Sequence, residues 1–245
     1  MADFHNPQSG LPRPARIARV IPENDRIRTF FFDVSLPSQP GQFIMAWLPR
    51  LDEKPFSLAG DDPVTLTVAR VGPFTEALHR LQPDDWLWLR GPFGRGFEVA
   101  GRHALLVGGG YGVAPLAYLA RRLLATGRRV TVVIGARQAA DVILAGQFQA
   151  LGVDVVVTTE DGSLGQRGLA TDAAAALLAT REMDQVYACG PNAMLEVLKV
   201  LSQRHEVPAQ LSWEAYMRCG MGLCGSCERD GWLTCLDGPV EVTRQ

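Results

Sequence analysis

Residues 103–127 read HALLVGGGYGVAPLAYLARRLLATG. A short apolar run, HALLV, is followed by a glycine-rich turn and then by apolar residues at helical spacing. A strand, a tight turn and a helix in immediate succession open a βαβ unit and imply a parallel sheet. Gly108, Gly109, Gly110 and Gly112 carry no side chain to block the approach of a pyrophosphate. The helix behind them would offer unpaired N–H groups and the positive end of its dipole to that anion. Pro115 suits the first helical turn, where its missing N–H costs little. The strict G-x-G-x-x-G fingerprint is not met, because Val113 occupies the last glycine position. Alone the segment also fits an ordinary strand–helix turn.

The same alternation continues downstream. RRVTVVIGA (128–136) predicts a strand, 146–151 a helical stretch, VDVVVTT (153–159) a strand, and TDAAAALLATRE (171–182) a helix capped by Thr171 or Asp172. QVYACG (185–190) predicts a strand and NAMLEVLKVLSQRH (192–205) a helix, and PAQLSWEAY (208–216) begins with a last strand. Upstream the pattern is different. RTFFFDV, QFIMAWL, VTLTVARV and WLWLRGPF are short strand-like runs punctuated by Pro and Gly, which predicts a small antiparallel β-barrel or sandwich. The expected fold is therefore β plus α/β, with a flexible arm at 1–14, a β-barrel at 15–98, a parallel-sheet nucleotide-binding domain at 99–208 and a small cysteine lobe at 209–245.

Composition narrows the function classes. The 245 residues give room for about two domains. A hydrophobic share of 47%, with 20% charged residues, is that of an ordinary globular protein. The formal charge of -2 argues against a nucleic-acid partner, which calls for a basic excess. No apolar run approaches the roughly 20 residues of a membrane span. MADFHNPQSGLPRP lacks the apolar stretch of a signal peptide, so the expected compartment is the cytoplasm.

Four of the five cysteines lie near the end of the chain. Cys219, Cys224, Cys227 and Cys235 read Cys-x4-Cys-x2-Cys-x7-Cys, and the first three copy the spacing of plant-type [2Fe–2S] ferredoxins. Gly220, Gly222 and Gly225 between them allow positive φ angles and amides aimed at sulfur. Structural zinc also takes four thiolates, but zinc ribbons pair two Cys-x2-Cys knuckles and only one is present. Met221, Leu223 and Trp232 either shield this site, meet a partner, or simply pack the lobe.

Other segments carry weaker signals. Lys54-Pro55-Phe56-Ser57 combines a cation, a flat ring and a hydroxyl, a set suited to a flavin. The turn in ARVGPFTEAL (69–78), with Thr75, is a candidate second phosphate site or a plain β–α connection. Cys189, in CGPNAM (189–194), follows a strand end, where open parallel sheets bind ligands; a lone cysteine is also commonly just a small buried residue. EDGSLGQRG (160–168) reads as a solvated turn, with Glu160 and Asp161 as candidate ribose contacts. Arg137 is a candidate partner for a 2′-phosphate. His5, His79, His103 and His205 are scattered, and no catalytic acid, base or nucleophile is assigned.

Taken together and in order, KPFSL, GGGYGVAPL, CGPNAM and CGMGLCGSC…CLDGPV resemble the electron-transfer subunit of class 1B dihydroorotate dehydrogenase, within the ferredoxin-NADP reductase superfamily. The resemblance spans about residues 15–241. It implies FAD in a β-barrel, NAD at an α/β domain and a [2Fe–2S] cluster in a C-terminal extension. It assigns Lys54, Pro55, Phe56 and Ser57 to the flavin motif and Val68, Ala69 and Arg70 to the strand along the flavin. Phe74 and Thr75 fall at the FAD phosphates. Gly109, Gly110 and Gly112 fall at the nucleotide loop, Cys189, Gly190 and Pro191 beside the nicotinamide, and Cys219, Cys224, Cys227 and Cys235 at iron. Lys54 stands where arginine is usual and loses the bidentate fork. Phe74 replaces a glycine, and the last cysteine gap is short. The implied partner is an FMN-containing dihydroorotate dehydrogenase catalytic subunit, two of each chain forming a heterotetramer. A hydrogenase or sulfite reductase subunit of the same build is the alternative, and a zinc-stabilised nucleotide-binding regulator a more distant one. The resemblance favours NAD over NADP.

Overall fold

The computed structural model describes residues 10–243. Most of the arm expected at 1–14 therefore lies outside the described residues, and Arg13 and Pro14 already belong to the first strand. The chain forms two compact units. One runs through Gly96 and takes in Ala215–Pro239; the other comprises Phe97–Glu214 and the closing strand from Val240.

The first unit contains β1 (Arg13–Pro22), β2 (Ile27–Phe32), β3 (Phe43–Leu48), β4 (Asp52–Ser57), β5 (Gly60–Asp61), β6 (Val64–Ala69), helix α1 (Pro73–Arg80) and β7 (Trp86–Phe93). The strands pair antiparallel in the order β4-β3-β7-β1-β2-β6-β5. β4 and β5, at the two ends of that order, are not paired with each other, so the element described is a seven-stranded sheet. Ile17, Phe30, Phe32, Ile44, Met45, Leu58 and Leu66 fill its core. The histidine of α1 is structural: His79 is buried, with Nε2 against the Val68 carbonyl at 2.9 Å.

The second unit contains β8 (His103–Gly109), α2 (Val113–Ala125), β9 (Arg129–Ala136), α3 (Ala145–Ala150), β10 (Asp154–Thr159), β11 (Gln166–Arg167), α4 (Ala170–Ala179), β12 (Gln185–Cys189), α5 (Asn192–Arg204) and β13 (Ala209–Ser212). They form a mixed sheet ordered β11-β10-β9-β8-β12-β13-β16, where β16 is Val240–Thr243. All pairs are parallel except β13–β16. Helices pack as two pairs, α2 with α3 and α4 with α5, against this sheet. Strands covered in this way read as unbroken apolar runs, as Ala104–Val107 and Val186–Ala188 do, all fully buried.

Two local readings change. The helix at 171–182 begins at Ala170, and neither Thr171 nor Asp172 is its cap. Asp172 instead sits in the first turn and accepts a hydrogen bond from the Leu169 N–H at 3.0 Å, the reciprocal half of a capping box. The segment expected as one lobe at 209–245 is divided. Ala209–Ser212 and Val240–Thr243 pair with each other inside the second unit, and the cysteine-bearing 215–239 belongs to the first. Glu241 secures that pairing: Oε2 accepts from Trp213 Nε1 at 2.8 Å and Oε1 from Lys199 Nζ at 2.7 Å. A short hairpin, β14 (Glu228–Arg229) with β15 (Trp232–Leu233), lies within the cysteine segment.

Tyr187 ties β12 to the chain entering β8. Its buried hydroxyl accepts from the Ala100 N–H at 2.8 Å and donates to the Glu98 carbonyl at 2.9 Å. Tyr187→Phe removes one oxygen and strands both groups, so it should cost about 1–2 kcal/mol. The check is the midpoint of urea unfolding, followed by far-ultraviolet circular dichroism.

Candidate functional site

The sheet of the second unit reverses direction between β8 and β12: β9 and β10 lie to one side of β8, β12 and β13 to the other. The carboxyl ends at such a reversal are where open α/β sheets bind ligands. Cys189 is in register with Gly108 there, so the GGGYG and CGP turns lie side by side. They touch closely enough to exclude any side chain. A β-carbon on Gly109 would stand 2.8 Å from Pro191 Cδ, and one on Gly190 would stand 2.9 Å from the Gly109 nitrogen. Gly110 takes φ 54° and opens one turn of 3-10 helix, Gly110–Gly112, that feeds α2. The six residues predicted here, Gly109, Gly110, Gly112, Cys189, Gly190 and Pro191, are thus brought together by the fold.

Three further residues complete this site. Cys189 is in register with Ser212 on β13, and Glu214 follows two residues later. The Tyr111 hydroxyl donates a hydrogen bond to Glu214, and burial, then the Glu214 charge, push that phenol up to about 12. Burial, and then Glu214, likewise push the Cys189 thiol up to about 12. The thiol is neutral at physiological pH and offers a contact surface, not a nucleophile. Sequence reasoning passed over Glu214; its signal was an acidic residue just past a strand end on the ligand-binding edge of the sheet.

The candidate ribose and phosphate contacts are engaged locally. Asp161 accepts from the Ser163 N–H at 2.9 Å and hydroxyl at 2.6 Å, a self-contained turn. Arg137 pairs with Asp141 at 3.2 Å.

In the first unit, Lys54–Ser57 form the last four residues of β4. Lys54 pairs with Asp52 at 2.5 Å and is partly exposed, and Phe56 stacks on Phe74 with ring centres 6.0 Å apart. Strand alternation puts Lys54 and Phe56 on one face, Pro55 and Ser57 on the other. Val68 is buried, Ala69 pairs with Ile27, and Arg70 is exposed with its N–H bonded to the Arg26 carbonyl at 2.8 Å. Thr75, predicted to meet a phosphate, has its hydroxyl folded into the turn before α1. It accepts from the Val71 and Gly72 N–H groups at 2.9 and 3.0 Å and donates to the Gly72 carbonyl at 2.9 Å.

The four clustered cysteines occupy one loop system of this unit. Gly220, Gly222 and Gly225 take φ of 70°, 79° and 70°. That curl aims amides at sulfur. Met221 and Leu223 N–H donate to Cys219 Sγ at 3.4 and 3.3 Å, Gly222 N–H to Cys235 Sγ at 3.2 Å, and Cys235 N–H to Cys227 Sγ at 3.4 Å. The thiols hydrogen-bond in pairs, Cys219 with Cys224 and Cys227 with Cys235. Cys227 and Cys235 are buried with Phe43, Met45 and Met217; Cys224 is exposed. Hydrogen bonding with Ser226 draws the Cys224 thiol down to about 6, whereas burial and the neighbouring Cys227 push Cys235 up to about 12. Among the described residues no group of three or more His, Cys, Asp or Glu is gathered to the spacing of a single bound ion. Leu223 is 80% exposed and Met221 38%, while the Trp232 ring lies against Gly238. Arg90 of β7, also passed over, grips Glu53 through two 2.6 Å bonds and the Cys219 carbonyl through one of 2.7 Å.

Residues 106–199 match the model of the oxidoreductase NAD-binding domain, and the chain is an NAD-linked oxidoreductase subunit. It is 46% identical over 217 residues, 87% of this chain and 89% of the relative, to the probable dihydroorotate dehydrogenase B (NAD(+)), electron transfer subunit, of Thermococcus kodakarensis. The Methanothermobacter thermautotrophicus protein of the same name is 43% identical over 239 residues, covering 94% and 88%. The chain belongs to the family of dihydroorotate dehydrogenase B electron-transfer subunits. Among solved structures, a chain of the NADH-dependent reduced ferredoxin-NADP oxidoreductase superposes with a TM-score of 0.85 at 29% identity, covering 93% of this chain and 87% of that one.

A methyl group at Gly109 must displace the rigid Pro191 ring. Gly109→Ala should therefore weaken NADH binding about 10–100-fold, the equivalent of a modest overpacking cost. Titration calorimetry checks this, with Gly146→Ala in α3, where a β-carbon meets nothing within 4 Å, as the unaffected control.

Proposed function

We propose that this chain carries electrons from a dihydroorotate-oxidising, FMN-containing partner subunit to NAD⁺, in the cytoplasm, as half of an assembly with two copies of each chain. The reading gives it FAD in the first unit, whose antiparallel sheet would serve as the flavin-binding barrel, and a [2Fe–2S] cluster on Cys219, Cys224, Cys227 and Cys235. Flavin exchanges electrons singly or in pairs and an iron–sulfur cluster singly, so the two groups together convert hydride chemistry into one-electron traffic.

The observation that carries the reading is the state of the four thiols. They stand as two pairs, and they already receive four backbone amide hydrogen bonds. A two-iron cluster takes two thiolates at each iron, which fits a division into pairs. A single zinc ion asks for all four at one centre. The amides would stabilise negative charge on sulfur, and burial of Cys227 and Cys235 against Phe43, Met45 and Met217 would exclude water from one side of the group.

The remaining residues have simple tasks. Lys54 and the exposed Arg70 supply positive charge along the face proposed for the flavin, and the Phe56–Phe74 pair supplies a flat apolar wall. Gly109, Gly110 and Gly112 leave room for the nucleotide's pyrophosphate above the start of α2. Neutral Cys189 with Ser212 and Glu214 borders the place proposed for the nicotinamide ring. Leu223 and Met221, exposed beside the cysteines, are offered to the catalytic partner.

Anaerobically purified protein should show flavin absorption with about two irons per chain and should bleach on addition of NADH. Cys227→Ser should lose the iron and keep the flavin. A colourless protein holding about one zinc per chain would overturn the reading.

A further inference from the structure

Arg90 is a charged residue in the middle of an otherwise apolar strand, WLWLRGPF, in register with Met45 of β3. Its side chain is 7% exposed. Nε and Nη2 donate to the two carboxylate oxygens of Glu53, each at 2.6 Å, and Nη2 also donates to the Cys219 carbonyl at 2.7 Å. The guanidinium lies 5.2 Å from the centre of the Phe93 ring. Nη1 is buried and has no partner.

A buried Arg–carboxylate pair is poor evidence for stability, because desolvation consumes the Coulombic gain. Its planar fork does confer geometry. Glu53 immediately precedes Lys54, and Cys219 immediately precedes Gly220, so one guanidinium joins the strand proposed for the flavin to the turn that begins the cysteine loop. The turn is already pressed down: a β-carbon on Gly220 would stand 2.8 Å from Met45 Cγ. Fixing the Cys219 carbonyl fixes the peptide that follows and, with it, the Met221 and Leu223 amides aimed at Cys219 Sγ. An unpaired buried donor is unfavourable unless an acceptor arrives. Nη1 is the one nitrogen of this fork still free to meet an acceptor brought by a bound group.

We propose that Arg90, oriented by Glu53, is a positioning residue of the iron–sulfur site: it anchors the Cys219 turn to β4 and, as a buried cation, favours the reduced cluster. The inference rests on the cluster reading above. Reduction adds one negative charge to the cluster, and net charge and hydrogen bonding near sulfur set its potential. A buried cation eases that addition; a buried carboxylate opposes it. The two partners therefore act in opposite senses on the potential, although both hold the same turn.

The test compares the unsubstituted protein with Arg90→Met, Arg90→Lys and Glu53→Gln, all prepared anaerobically. Iron is counted, the electron paramagnetic resonance spectrum of the dithionite-reduced protein is recorded, and the cluster midpoint potential is titrated. Arg90→Met should shift the potential negative and Glu53→Gln should shift it positive. Arg90→Lys, which keeps the charge and loses the fork, should stay nearer the unsubstituted value in potential while its resonance spectrum broadens. Iron present with both potentials unmoved, or moved in the same direction, overturns the role of Arg90. If Arg90→Met loses its iron, the positive shift of Glu53→Gln decides the matter, and its absence overturns the proposal. No iron in the unsubstituted protein overturns the cluster reading itself, a result distinct from either.

Discussion

The closeness of two backbone turns governs the second unit. Where β8 and β12 end side by side, Gly109, Gly112 and Gly190 bring main chain against main chain, with the Pro191 ring close to Gly109. That closeness follows from the strand order: the sheet must reverse somewhere, and at the reversal the connections leave in opposite directions. The glycines of the turn leave the approach to α2 without side chains in front of it. Burial, and then the Glu214 charge, raise both Cys189 and Tyr111 to about 12, so the thiol and the phenol stay neutral at physiological pH. The Tyr111 hydroxyl donates to Glu214 at the edge of this turn.

The first unit solves a different problem. An antiparallel sheet needs no crossovers, and its strands can be short, so it tolerates a long irregular segment laid against it. The cysteine segment is such a piece. Ahead of the β14–β15 hairpin its backbone amides are not in strands, and several find sulfur instead. Positive φ at Gly220, Gly222 and Gly225 is what turns them inward. Phe43 and Met45 of β3 then form a floor under Cys227 and Cys235.

How much of this was legible depended on range. Strand β8, helix α2 and helix α5 were readable because periodicity and glycine punctuation are local signals. The cysteine spacing was readable because ligand sets within one loop are local too. The cap of α4 was misplaced by a local ambiguity: an aspartate serves a helix start either as the cap or from inside the first turn, and Asp172 does the second. Thr75 looked available for a phosphate because sequence does not show that a hydroxyl is spent on its own turn. The β13–β16 pair went unseen for a different reason. Its partners are separated by the whole cysteine segment, and no local pattern announces a strand of four residues that returns from so far. Arg90 and Glu53 were missed in the same way, since what makes them matter is their shared grip on Cys219.

That return of the chain has a consequence for biosynthesis. The cysteine segment leaves from β13 and comes back into β16, yet it completes the unit built by residues 10–96. A ribosome therefore releases the N-terminal sheet long before it releases the segment that covers Phe43 and Met45. Until residue 239 has emerged, those side chains lack the cover of Met217, Cys227 and Cys235, and the second unit lacks β16 for the same interval. Neither unit is complete until the stretch from Ala215 through Thr243 has been made.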